Sequence, residues 1–194
     1  MSKETPRTAL LEAGTQIFLE KGYNKAGIQE IVRAAKVPKG SFYYYFQSKE
    51  DFGLQVIDHF VEAYNATLER YLTDETLSPL SRLRQQAEFY CEQLETLQCR
   101  RGCLMGNIGQ ELADQSEIFR SRIAAVFSGW RELYAACLKQ AQQAGEIAQH
   151  LEVEAIAEFY VSGWEGAVLQ AKLTRSTVPV RRFIQLMFEQ VLKA

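Results

Sequence analysis

Leu10, Ala13, Gly14, Ile17 and Phe18 place small and apolar side chains three and four residues apart, the spacing that gathers them on one face of an α-helix. Thr5-Pro6 supplies its start, with a hydroxyl for the free amides and a proline where a missing N–H costs nothing, and Lys21-Gly22 its end. Ile28, Ile31, Val32 and Ala35 repeat the pattern over a shorter stretch, broken at Lys36-Val37-Pro38. Pro38 then begins a third segment that carries Phe42 to Phe46. Three short helices are thus predicted in about the first fifty residues.

Ser48-Lys49-Glu50-Asp51 offers a cap hydroxyl and two acids for the first turn of a long helix, which Phe52, Val56, Phe60, Tyr64, Leu68 and Tyr71 continue. A polar break from Thr73 to Ser78 precedes Pro79, and the next helix runs from there to about Gln98. Gly102, Gly106 and Gly109 predict a loosened stretch, with a helix start near Asn107. Asp114 and Ser116 cap a further long helix with Ile123, Val126, Phe127, Trp130, Leu133, Tyr134, Cys137, Leu138 and Ala141 on a wide apolar stripe ending near Gly145. Two last helices cover about Glu152 to Leu173 and Pro179 to Leu192, and no segment alternates as a strand does. The fold expected is all-α, with eight or nine helices: a three-helix head over residues 1–50 and a larger helical body over 51–194, with a linker helix from about residue 49.

Composition narrows the function. Of 194 residues, 47% are hydrophobic and 24% charged, as in an ordinary globular chain. The uncharged stretch around Val153–Val168 is interrupted by Glu154, Glu158 and Glu165, which argues against a membrane span. Met1 to Arg7 lacks the apolar core of a secretory signal, and four irregularly spaced cysteines form no dense disulfide framework, so a reducing cytoplasm is the expected compartment. Net charge is −2, yet residues 1–52 carry eight basic and six acidic side chains while the remainder is net acidic. A mildly basic head on an acidic body is compatible with binding DNA, because phosphate attraction depends on local charge.

The run Ile28-Gln-Glu-Ile-Val-Arg-Ala-Ala-Lys-Val-Pro-Lys-Gly-Ser-Phe-Tyr-Tyr-Tyr-Phe-Gln-Ser-Lys-Glu-Asp-Phe52 closely resembles the DNA-binding signature of the TetR family of repressors. The resemblance implies a helix-turn-helix head, a fourth helix leading into a ligand-binding body, and dimerisation through the last two helices. Its implied partners are a pseudo-palindromic double-stranded DNA operator, a second copy of the chain, and a small-molecule or electrophile effector.

The residues suit that role physically. A helix entering the major groove must approach closely, so Gly40 removes a side chain, Ser41 offers a short hydroxyl and Lys39 reaches a phosphate or a guanine edge. Tyr43, Tyr44 and Tyr45 point in successive directions about 100° apart, so a head this small cannot bury all three. Phe42 and Phe46 are expected in its core. Lys49 falls where family members commonly touch the DNA backbone. Gly27 departs from the family pattern, which has a hydroxyl cap there, and this makes Gln29 the better contact from the second helix.

In the body, Cys103 lies beside Arg100 and Arg101 and near a helix start, where a thiolate is stabilised. Gly102-Cys103-Leu104 and Leu169-Gln-Ala-Lys172 are also similar to the subgroup related to the N-ethylmaleimide-reductase repressor, which implies a response to electrophiles and oxidants with Cys103 as sensor and Lys172 as a nearby cation or covalent partner. An ordinary thiol is the other reading, and whether Cys99 and Cys103 pair as a disulfide is open at this level. Trp130, Tyr134, Phe159 and Tyr160 are either a ligand pocket or plain core. Gly163, Gly166 and Ala167, with Phe183 and Met187, suit a dimer interface or intrachain packing. His59 and His150 stand apart from any metal-ligand spacing, and no catalytic, nucleotide or dinucleotide motif is found, so no metal, cofactor or enzymatic activity is expected. The alternatives are a non-catalytic helical small-molecule-binding protein and, below it, an all-helical enzyme.

Overall fold

The computed structural model describes residues 5–193, so most of the Met1–Arg7 segment lies outside the described residues. The described residues form nine α-helices and no strand: α1 (Pro6–Lys21), α2 (Ile28–Ala34), α3 (Gly40–Tyr45), α4 (Lys49–Leu72), α5 (Pro79–Thr96), α6 (Leu104–Leu112), α7 (Glu117–Gln143), α8 (Val153–Thr174) and α9 (Val178–Leu186), followed by a π-helical turn at Met187–Val191. None is long and apolar enough to cross a membrane.

The starts follow from local chemistry. Thr5 accepts the Thr8 N–H at 3.2 Å ahead of Pro6, and Ser48 Oγ accepts the Asp51 N–H at 3.0 Å while Asp51 Oδ2 accepts the Gln47 N–H at 2.8 Å. One expectation fails at α6. Gly106 and Gly109 lie inside a regular helix whose Leu104, Met105, Ile108 and Leu112 are buried, because burying four apolar side chains outweighs the helix cost of glycine, about 1 kcal/mol each.

The chain divides into two compact units. The first comprises the described residues up to Tyr64 together with Cys103–Ile123. It is a packing unit larger than the 1–50 segment. Its core is aromatic: Phe42, Phe46 and Phe52 are buried, with ring centroids 5.1 Å apart for Phe42–Phe52 and 4.8 Å for Phe46–Phe52, and Phe18 meets Phe52 edge-on at 6.0 Å. Gly14 allows α1 to lie close to α4, since a β-carbon there would come within 2.8 Å of Phe52 Cε1 and 2.9 Å of Val56 Cγ2.

The second unit holds Asn65–Gly102 and the chain from Ala124 onward. Its core includes Leu68, Leu83, Ala87, Trp130, Tyr134, Leu138, Tyr160, Trp164 and Val168. Buried Arg82 donates to the carbonyls of Asp74, Leu77 and Leu72 at 2.7, 3.0 and 3.4 Å, which satisfies backbone acceptors at the end of α4 and in the turn that follows it. Within this unit Gly163 of α8 accommodates Phe183 of α9, whose ring also meets Tyr160 at 5.4 Å and Trp164 at 6.1 Å.

Candidate nucleic-acid interface and regulatory sites

The α2–α3 connection sets the site. Val37 N–H reaches back to the Val32 carbonyl at 3.3 Å and Lys36 takes φ 55°, a left-handed conformation that ends α2 and turns the chain into α3. Ser41 N–H bonds the Pro38 carbonyl at 2.9 Å, so α3 begins one turn after the proline. With Phe42 and Phe46 anchored in the core, the intervening residues must turn outward. Tyr43 is 63% and Tyr44 81% exposed, while Tyr45 is half-buried with its ring 4.8 Å from that of Tyr44.

Lys39, Gly40 and Gln29 are exposed and Ser41 half-buried, and the space around Gly40 is open to 4 Å. Phenols, an ammonium, a hydroxyl and a bare backbone therefore share the start of one short helix, the inventory that donates to phosphates and base edges. Gly27 precedes α2 without a side-chain cap bond. Lys49 is less free than expected. Its Nζ donates to the Asn24 carbonyl at 3.2 Å and lies 4.6 Å from the Tyr23 ring centroid, and desolvation lowers its pKa.

All four cysteines are thiols, so no Cys99–Cys103 disulfide is present. Cys99 is buried, and burial raises its pKa, as it does for Cys91 and, to about 11, for Cys137. Cys103 is the half-exposed one, and it is the N-cap residue of α6. Lys172 is half-buried in the last turn of α8.

The proposed pocket residues separate. Trp130, Tyr134 and Tyr160 are buried together in the second unit: Trp130 Nε1 donates to Asn65 at 2.9 Å and the Tyr134 and Tyr160 rings lie 4.8 Å apart. Phe159, the residue before Tyr160 on α8, is exposed. The hydroxyl of Tyr160 and Oε1 of Gln86 are buried without a hydrogen-bond partner, and burial holds the Tyr160 phenol well above its ordinary pKa.

The proposed interface residues separate too. Gly163 is filled by Phe183 of the same chain, which is itself half-buried, and Ala167 and Met187 are buried, so of that group Gly166 alone is exposed. The exposed line on α8 is instead Ala155, Phe159, Ser162, Gly166, Leu169 and Leu173, alternately four and three residues apart. That is the spacing of a helix seam, and of the glycine-and-alanine group it takes in Gly166. Among the described residues no group of three His, Cys, Asp or Glu side chains could hold a metal ion.

Two family profiles cover this chain. One, described as bacterial regulatory proteins of the tetR family, matches residues 10–56, and a second, described as a tetracyclin repressor-like C-terminal domain, matches residues 79–187. The chain is 36% identical over 192 residues to the transcriptional repressor DhaR of Mycobacterium sp. strain GP1, covering 99% of this chain and 95% of that protein. It is 32% identical over 187 residues to the repressor NemR of Escherichia coli, covering 93% and 92%. The crystal structure of reduced E. coli NemR superposes with a TM-score of 0.85 over 97% of each chain. A regulatory protein from Rhodobacter sphaeroides, 38% identical, superposes with a TM-score of 0.89 over 93% of this chain and 96% of that one.

Proposed function

The chain belongs to the TetR family of bacterial transcription regulators, with NemR among its relatives, and on that footing we propose that it is a repressor whose homodimer holds a pseudo-palindromic operator until a signal in the body releases it. The observation that carries the DNA-binding reading is the outward-facing Lys39-Gly40-Ser41 start of α3 with its exposed Tyr43 and Tyr44. In the bound state Gly40 admits the groove wall, Lys39 and Ser41 reach phosphate or base edges, and Gln29, Tyr43, Tyr44 and Tyr45 donate to the backbone. Lys49, at the first residue of α4, adds its remaining N–H groups and the helix N-terminus to a phosphate.

Two heads reach successive major grooves only when they are about 34 Å apart, which requires a dimer of defined geometry. The exposed α8 seam, with exposed Val178 and Leu186 on α9, supports a second copy as its cover. The division into a DNA-binding segment over 1–50 and a regulatory and dimerising segment over 51–194 is part of the same proposal.

Two features support a signal received in the body. Cys103 at the start of α6 is the accessible thiol, in keeping with an electrophile or oxidant as effector and Lys172 and Cys99 as its candidate helpers. The unpartnered Tyr160 hydroxyl and Gln86 Oε1 favour a small polar guest among the buried aromatics. The test is operator release: a duplex selected by the protein from a random pool is released on adding a quinone or N-ethylmaleimide, and Cys103→Ser abolishes that response while keeping the affinity. A Cys103→Ser protein that still releases DNA rejects the thiol sensor.

A further inference from the structure

The turn after α1 is held from two sides. Glu111, in the last turn of α6, accepts the Tyr23 N–H on Oε2 at 2.8 Å and the Asn24 N–H on Oε1 at 2.7 Å. Both amides belong to the turn opened by Gly22, which has φ 83° and whose missing β-carbon would stand 2.6 Å from Glu111 Oε2. Only glycine both adopts that conformation without strain and lets the carboxylate in. Gln115 closes the arrangement by donating from Nε2 to the Glu111 carbonyl at 2.8 Å.

On its other side the turn meets α4. The Asn24 carbonyl accepts from Lys49 Nζ at 3.2 Å, and the same ammonium lies over the Tyr23 ring at 4.6 Å. That ring is wedged between Phe18 and Phe119, at centroid distances of 5.4 and 5.0 Å, and Gly53 leaves the room, since a β-carbon there would stand 2.7 Å from the Tyr23 ring. Two residues of backbone are thus fixed through their N–H groups by α6, while one carbonyl and one ring aim the first cation of α4. Glu111 lies 88 residues from Tyr23 in sequence, and it adds to the local bonds of the turn, Gly22 N–H to the Phe18 carbonyl at 2.9 Å and Ala26 N–H to the Tyr23 carbonyl at 3.1 Å.

We propose that Glu111 is a positioning residue for operator binding: its grip on the Tyr23–Asn24 amides fixes the seat of Lys49. The proposal rests on the DNA-binding reading above and deepens it. A carboxylate that withdraws until its N···O distances exceed about 3.5 Å holds neither amide, so a slide of about 1 Å suffices.

The experiment uses the full chain and a duplex selected by the wild-type protein from a random-sequence pool. E111Q keeps the shape but turns one acceptor into a donor that faces an N–H. It is expected to remain a folded dimer, to bind the duplex about 10-fold more weakly, and to lose about one unit of salt slope, as K49M does. E111Q/K49M is then expected to bind no more weakly than K49M alone, whereas a merely structural role makes the two losses add. E111Q binding as tightly as wild type, or an additive double variant, overturns the clamp. A wild-type protein that selects no duplex overturns the DNA-binding reading and the clamp with it. Should E111Q fail to fold, amide exchange on wild-type protein decides: the peptide spanning Gly22–Lys25 is expected to gain protection on binding the duplex, and unchanged exchange there overturns the proposal.

Discussion

Leu173→Ala tests the dimer. Leu173 is 69% exposed at the C-terminal end of the α8 seam, so removing its side chain costs a lone chain little. Burying a whole leucine contributes about 1.5–3 kcal/mol, and the exposed part of this one, less the β-carbon that alanine keeps, accounts for ~1–1.5 kcal/mol. A twofold interface buries the residue twice, which gives ~2–3 kcal/mol per dimer and a rise of ~30- to 150-fold in the dissociation constant. Sedimentation over a dilution series measures this directly, and melting of the isolated variant confirms that its fold is intact. Because each half-site alone holds only one head, operator affinity should fall at protein concentrations below the new dissociation constant and recover above it. A dissociation constant within threefold of wild type would refute the seam as the place where a second copy docks.

Other consequences are narrower. Tyr44→Phe, which removes only an exposed hydroxyl, should weaken operator binding by about 1 kcal/mol with little effect on melting, as read by fluorescence anisotropy. Lys39→Ala should reduce the salt slope of binding by about one unit. Gly14→Ala should lower stability by about 1–2 kcal/mol in chemical denaturation, because the new β-carbon overlaps Phe52 by more than the gain in helix propensity offsets. Burial, with a smaller push from the Glu146 carboxylate and against the pull of Arg82, raises the Cys137 thiol from 9.0 to about 11. The contribution of this thiol to stability is therefore full below pH 9 and should decline by about 2–3 kcal/mol as pH rises towards 11, a fall that Cys137→Ala should flatten in denaturation curves taken at each pH.

Much of the first unit was legible because local rules and packing agree there. The cap residues Thr5 and Ser48 act as caps, and the 100° advance between helical residues sends Phe42 and Phe46 inward and Tyr43 and Tyr44 outward. Tertiary packing decided the rest. Gly106 and Gly109 signal a loop by propensity, but buried Leu104, Ile108 and Leu112 make the helix. Gly163 and Ala167 signal a close approach, and one exists at Gly163, but the residue that fills it is Phe183 of the same chain. The α8 seam was present in the sequence as Phe159, Gly166, Leu169 and Leu173, yet a helix that is apolar on several sides does not say which side is left over. Glu111 carried no signal, because a carboxylate that binds backbone amides 88 residues away has no sequence partner to match.

Footprinting of the selected duplex is the most direct test of the whole scheme. Two protected half-sites related by a dyad, with centres one helical turn of about 34 Å or a multiple of it apart, are expected for paired α3 helices in the major groove. Methylation of guanine N7 within those half-sites should block binding. Protection of a single half-site, or uniform protection that ignores sequence, would contradict it.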